Sequence, residues 1–232
     1  TVTCCNLLSG CVASVMAFQA NYEAAILFII LGAIFDFFDG MLARLLNVSG
    51  PLGKELDSLA DLISFGLLPA LMIHRRLVEG GMTGFLIYVP VIICIFSALR
   101  LAKFNVDDRQ SENFLGLPTP ACAMWCGSLL YAADRGLMTV AGLLSERYIM
   151  IIAPVVLAIL LISEIPMFSM KFKKDAAADI KMMRYGFLAV AAVSLAVTLI
   201  LGQHFAHAVL FILITYILMN IVLALAKKLS RK

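Results

Sequence analysis

Four aspartates, Asp36, Asp39, Asp57 and Asp61, stand inside strongly apolar surroundings at residues 36–61, DFFDGMLARLLNVSGPLGKELDSLAD. A charged side chain at the centre of a membrane helix costs roughly 2.5–3.5 kcal/mol on insertion scales. Four uncompensated ones would cost on the order of 10–14 kcal/mol, and a divalent cation is the natural compensation. Asp36 and Asp39 are spaced i,i+3 and Asp57 and Asp61 i,i+4, so each pair shares one helix face. Between the pairs, Asn47-Val48-Ser49-Gly50-Pro51 is a turn signal with Pro placed to open the next helix. Asp39 lies ten residues before Ser49 and Asp57 eight after; Asp36 lies thirteen before and Asp61 twelve after. Two antiparallel helices meeting at this turn would set the carboxylates opposite one another at matched depths. Such a set of hard oxygen donors suits Mg²⁺, Mn²⁺ or Ca²⁺ rather than a soft metal.

Small residues accompany the acids. Gly40 and Ala43 follow Asp39 on the same side, and Gly53 precedes Asp57 by about one turn, which leaves a hollow beside the carboxylates. Arg44 is a fixed cation at its edge, suited to a phosphate. The helix opening at Pro51 directs its free backbone N–H groups to the same place, which favours an anion. Metal, guanidinium, helix N-terminus and hollow together describe a diphosphate site.

These residues need a membrane scaffold. The chain has 232 residues, is 62% hydrophobic and has a mean hydropathy of +1.00, which excludes a soluble domain and indicates an all-α polytopic membrane protein. About eight transmembrane helices are expected, at residues 4–18, 22–46, 51–73, 85–104, 118–133, 147–163, 184–201 and 204–226. They form one integral membrane domain over 1–232, with a catalytic six-helix core at 1–163 and two additional helices at 184–226. The active site falls between helices 2 and 3. With the 44–53 turn placed in the cytoplasm, fourteen of the eighteen Lys and Arg lie on that side. This positive-inside bias puts both termini and the site in the cytoplasm, at the cell (inner) membrane.

The remaining residues carry less. The chain opens on Thr1 rather than Met, a short preceding piece is expected, and no cleavable signal is. The net charge of +3 is too small to point to nucleic acid. Six cysteines in apolar runs predict no disulfide framework, with Cys4, Cys5, Cys122 and Cys126 as small buried hydrophobes. Residues 171–184 mix Lys with Asp175 and Asp179 and are expected to be a solvated connection. His204 and His207 lack a nearby carboxylate and are weak evidence for a metal site; Trp125 is expected to pack, and Arg75 and Arg76 to anchor at the interface.

The unbroken pattern D-x-x-D-G-x-x-A-R-x8-G-x3-D-x3-D from Asp36 to Asp61 resembles the signature of the CDP-alcohol phosphotransferases, integral membrane enzymes of phospholipid synthesis. Thr3, Asn6 and Gly10 fit the T-x-x-N-x3-G pattern of that family's first helix, though this match is weak. The stretches DSLADLISFGLLPA from Asp57, ALRLAKFN at 98–105 and GLPTPA at 116–121 are similar to the members that use serine as acceptor. Leu62 stands where glycerol-phosphate-using relatives often carry Lys. The resemblance covers roughly residues 3–121 and implies transfer of the phosphatidyl group of CDP-diacylglycerol to the hydroxyl of L-serine, with release of CMP. It implies two metal ions, Mg²⁺ or Mn²⁺, bridged by Asp36 and Asp57 and completed by Asp39 and Asp61, with Asp61 as catalytic base. It also implies CDP-diacylglycerol contacts from Gly40, Ala43, Arg44, Ser49, Gly50, Gly53, Thr3 and Asn6, and a homodimer among membrane lipids. For serine itself, Arg100 offers a fork for the carboxylate, with Lys103 and Asn105 following it.

Three rivals are open at this stage. A sibling enzyme using glycerol phosphate or inositol phosphate would need extra cations for the acceptor's phosphate. An intramembrane prenyltransferase would not require this arrangement on one hairpin. A cation transporter with intramembrane aspartates gives no reason for Gly40, Ala43, Arg44 and Gly53 to accompany them.

Overall fold

The computed structural model describes residues 2–46, 50–107, 114–135, 140–167, 178–200 and 205–229. Ser49, His204 and residues 171–177 lie outside the described residues, as does the side chain of Arg44. Among the described residues eight helical rods are present: a first at Val2–Phe18, a second at Tyr22–Leu45, a third at Pro51–Glu79, a fourth at Val91–Val106, a fifth at Thr119–Asp134, a sixth at Val140–Ile162, a seventh at Ala178–Ile200 and an eighth at Phe205–Leu229. Among the described residues, four segments are long and apolar enough to cross a membrane, namely Tyr22–Ala43, Pro51–Glu79, Phe85–Val106 and His207–Ala224.

Several boundaries differ from expectation for local reasons. The third rod runs on to Glu79, with Gly80 as its C-cap. The fourth begins as a short 3₁₀ turn at Phe85–Tyr88 and becomes α-helical only after Pro90. The sixth starts at Val140 rather than 147, and the seventh at Ala178 rather than 184, so the charged 171–184 stretch is partly helix. Asn21 caps the second helix, its side-chain oxygen accepting the Ala24 N–H at 3.1 Å.

The first helix packs against the second and third. It buries Thr3, Asn6, Ser9, Gly10, Ala13 and Ala17 and exposes Leu8, Val15 and Phe18. A small, polar interior face and an apolar exterior suit helices packing in lipid. Cys4 and Cys5, expected to be buried, are therefore exposed along with Cys11; Cys122 and Cys126 are buried as expected.

The third rod is not α-helical throughout. Between its α segments Pro51–Asp61 and Leu68–Glu79, residues Leu62–Leu67 form a π-helical turn, with the Leu68 N–H bonded to the Ile63 carbonyl. Pro69 supplies the cause. It has no N–H for the Phe65 carbonyl, and its ring would clash with that group in a regular α-helix. Widening the preceding turn relieves the clash. The wide turn packs on the first, fourth and fifth helices.

The fourth helix packs on the sixth, the fifth on the second, the eighth on the fifth, and the seventh on the eighth. Trp125 is partly buried against the core, as expected. A two-residue antiparallel ribbon pairs Phe114 with Met167 and Leu115 with Pro166. Gly116 follows at φ +77°, and a Cβ there would come within 2.4 Å of the Leu161 carbonyl oxygen, so only glycine lets this loop dock. At the opposite end of the bundle, Tyr22 donates to Glu79 at 2.6 Å. Arg76 pairs with Glu146 at 2.8 Å and donates to the Ala133 carbonyl, and Arg135 pairs with Glu23. Arg76 is thus an internal tie between helices, not the interfacial anchor its position beside Arg75 suggested. Its carboxylate partner is 70 residues away in sequence.

Candidate active site

The hairpin of the second and third helices brings three carboxylates together. Ligand oxygens of Asp36, Asp57 and Asp61 lie within 4.8 Å of one another. Asp61 is the most enclosed, at 8% exposure, while Asp36 and Asp57 are half-buried. Three acidic groups at this distance repel one another in a medium of low dielectric. The donor set, oxygen only and rich in negative charge, fits a hard divalent cation. Asp39 lies outside this group of three. Its Oδ2 accepts a hydrogen bond from the Thr3 hydroxyl of the first helix. Asp61 is held likewise: the Asn6 amide donates to its Oδ1 at 3.0 Å. Thr3 and Asn6 therefore meet the carboxylates themselves, a connection that sequence spacing does not reveal because the pairs are 36 and 55 residues apart.

The glycines divide into two kinds. A Cβ at Gly10 would stand 2.3 Å from the Ser64 hydroxyl and 2.9 Å from its Cα; one at Gly66 would stand 3.0 Å from the Ser97 Cβ. These two are required by helix packing. At Gly40, Gly50 and Gly53 an added Cβ meets nothing within 4 Å. Packing within the chain does not ask for glycine there; Gly40 follows Asp39 directly, and Gly53 precedes Asp57 by about one turn. Gly50 is the N-cap of the third helix, extended at φ −131°, with Pro51 at the first helical position. The first N–H groups of that helix have no partner within the helix, a setting that favours an anion.

Arg100 is 7% exposed, so its guanidinium is inside the bundle and not extended to the interface. It is close enough to Asp61 for the two charges to interact, and Tyr216 of the eighth helix is also in its surroundings. Lys103 and Asn105 are further out. Lys103 pairs with Glu164 at 3.3 Å. The Asn105 amide donates to Ser58 at 2.9 Å, and its carbonyl accepts from Lys54 at 2.7 Å. Ala43 is half-buried on the second helix. His207 is part of the eighth helix.

The site is thus a helical bundle in which three carboxylates converge closely enough to hold a metal ion, next to glycines that packing does not require. The chain belongs to the CDP-alcohol phosphatidyltransferase family, whose description matches residues 1–145. It is 34% identical over 151 residues to a CDP-diacylglycerol–serine O-phosphatidyltransferase of Bacillus subtilis, an alignment covering 65% of this chain and 84% of that protein. It is 34% identical over 126 residues to an archaetidylserine synthase of Methanothermobacter thermautotrophicus, covering 53% of each chain. A CDP-diacylglycerol–serine O-phosphatidyltransferase of Mycobacterium leprae is 32% identical over 174 residues, 72% of this chain and 56% of the relative. The alignments thus span about half the length of the latter two relatives.

Proposed function

We propose that the protein transfers the phosphatidyl group of CDP-diacylglycerol to the hydroxyl of L-serine, releasing CMP and forming phosphatidylserine. The observation that carries this reading is the pairing of three converging carboxylates with glycines that packing does not require. Space kept open beside acidic residues is space for a ligand that brings its own cations. The names of the relatives agree on serine as the head group.

Asp36, Asp39, Asp57 and Asp61 would hold Mg²⁺ or Mn²⁺, two ions by the family resemblance. When bound, these neutralise the diphosphate and stabilise charge on the attacking and leaving oxygens. Gly40, Ala43 and Gly53 leave room for the nucleotide, and the family resemblance assigns Arg44, Ser49 and Gly50 to its phosphates. Asp61 accepts the proton of the serine hydroxyl as that oxygen attacks the β-phosphorus of CDP-diacylglycerol. The bond from this phosphorus to the bridging oxygen breaks, and the electron pair leaves with CMP. Arg100, inside the bundle and within electrostatic reach of Asp61, takes the serine carboxylate. Lys103 and Asn105 form the rim, where serine would compete with Glu164 and Ser58 for them.

The protein is a membrane protein, and we place all eight helices across the bilayer, with the aspartate end and both termini in the cytoplasm. The helices at 1–163 form the catalytic core, and the seventh and eighth are additions to it; the assembly is a homodimer. Purified protein in detergent, supplied with CDP-diacylglycerol and Mn²⁺, should release CMP with L-serine and far less with glycerol 3-phosphate or inositol phosphate. CMP release that follows either phosphorylated acceptor in preference to serine would overturn the acceptor assignment and leave the transfer chemistry standing.

A further inference from the structure

Asn6 has no exposed surface, yet its side chain is only half satisfied. Its amide N–H donates to Asp61 Oδ1 at 3.0 Å, while its own Oδ1 is buried without a hydrogen-bond partner. An asparagine kept for packing would be replaced at no loss by an apolar residue, and one kept for its own hydrogen bonds would satisfy both ends. Here the protein leaves an acceptor unpaired and retains the donor that faces the carboxylate.

The surroundings hold the Asn6 side chain in place. The Ser64 hydroxyl, in the π-helical turn that follows Asp61, donates to the Asn6 main-chain carbonyl at 3.0 Å. Gly10 lets the first helix approach that turn, since a Cβ there would stand 2.3 Å from the Ser64 hydroxyl. Gly32 of the second helix leaves room for the Asn6 side chain, because a Cβ there would lie 3.1 Å from its Oδ1. Three helices therefore fix one short side chain against one oxygen of Asp61. One turn nearer the start of the same helix, Thr3 does the same to Asp39.

We propose that Asn6 is a positioning residue for Asp61: it occupies Oδ1 and turns Oδ2 toward the space shared with Asp36 and Asp57. The reading of Thr3 and Asn6 as contacts to CDP-diacylglycerol gives way to one in which the first helix clasps two carboxylates of the hairpin. The role of Asp61 in proton transfer rests on the proposed reaction; the orienting of its carboxylate toward Asp36 and Asp57 does not. Outer-shell partners of this kind typically change metal affinity or activity by about 10–100-fold.

The decisive measurement is Mn²⁺ binding, followed by electron paramagnetic resonance, on the purified full chain. Asn6→Leu keeps the volume and removes the donor. It should weaken Mn²⁺ binding by about ten- to a hundredfold and lower kcat, with an unchanged melting temperature in the absence of metal and an unchanged KM for CDP-diacylglycerol. Asn6→Gln restores an amide and should recover part of the Mn²⁺ affinity. Native Mn²⁺ affinity in the Leu variant overturns the proposal, as does a KM for CDP-diacylglycerol that rises alone. If the Leu variant does not fold, a Gln variant that folds and binds Mn²⁺ supports it. Failure of both to fold, or equal Mn²⁺ binding by both, makes Asn6 a packing residue and overturns it. The Mn²⁺ titration is independent of the acceptor, so an absence of serine-dependent CMP release in the native protein would defeat the proposed function without deciding this point.

Discussion

Asp36, Asp57 and Asp61 are useful together, because three buried or half-buried carboxylates within 4.8 Å of one another need a cation to offset their mutual repulsion. Asp36→Asn or Asp57→Asn removes one negative donor from the group while keeping its shape. Either change should abolish CMP release, and EDTA should do the same to the native protein. Full activity in EDTA would rule out the metal reading. Arg100 can be tested separately. A charge-assisted hydrogen bond contributes about 1.5–3 kcal/mol, or roughly ten- to a hundredfold in affinity. Arg100→Lys keeps the charge and loses the planar fork, so the KM for serine should rise by up to that factor while the KM for CDP-diacylglycerol moves far less. Equal loss of both substrates would make Arg100 a structural or phosphate-binding residue.

Two sets of glycines make opposite demands on the helices that carry them. Gly10 allows the first helix to touch the π-helical turn of the third, and Gly66 allows the fourth to do so. Gly10→Ala forces a methyl against the Ser64 main chain. It should lower stability by about 1–3 kcal/mol, as overpacking generally does, seen as a lower melting temperature without substrate. Gly40→Leu and Gly53→Leu enter free space and should leave that temperature near native. They should weaken CDP-diacylglycerol binding while Mn²⁺ binding survives. If the Gly40 and Gly53 variants bind substrate normally, the hollow does not hold the nucleotide.

The two ends of the bundle differ in what ties them. The end opposite the aspartates is closed by Tyr22–Glu79, Arg76–Glu146 and Arg135–Glu23, which join the second, third, fifth and sixth helices. Among the described residues, the aspartate end carries Lys54–Asn105, Asn105–Ser58 and Lys103–Glu164. A substrate carrying a nucleotide would enter at the second end. In sealed inside-out membrane vesicles, serine added outside should be converted at once. Right-side-out vesicles should be silent until permeabilised. The reverse pattern would invert the topology inferred from the Lys and Arg bias.

The sequence by itself determined the hairpin, the aspartates it carries and the helical membrane class. All of these depend on local spacing, on the Gly50-Pro51 turn and on the apolar content of single segments. It also carried the cause of the π-helical turn, since Pro69 removes a donor from the ladder, although only the coordinates show the ladder widening in response. Tertiary structure decided the rest. It drew Asp39 out of the group of three through Thr3, set Asn6 against Asp61, turned Cys4 and Cys5 outward and placed Glu146 beside Arg76. Those outcomes join residues on different helices, and no periodicity within one helix encodes which neighbour its buried face will meet. In a chain where nearly every helix is apolar all round, hydrophobicity marks which segments are helices but not which side faces inward. Here the inward side of the first helix is chosen by small and polar residues that let backbones approach and carboxylates be held.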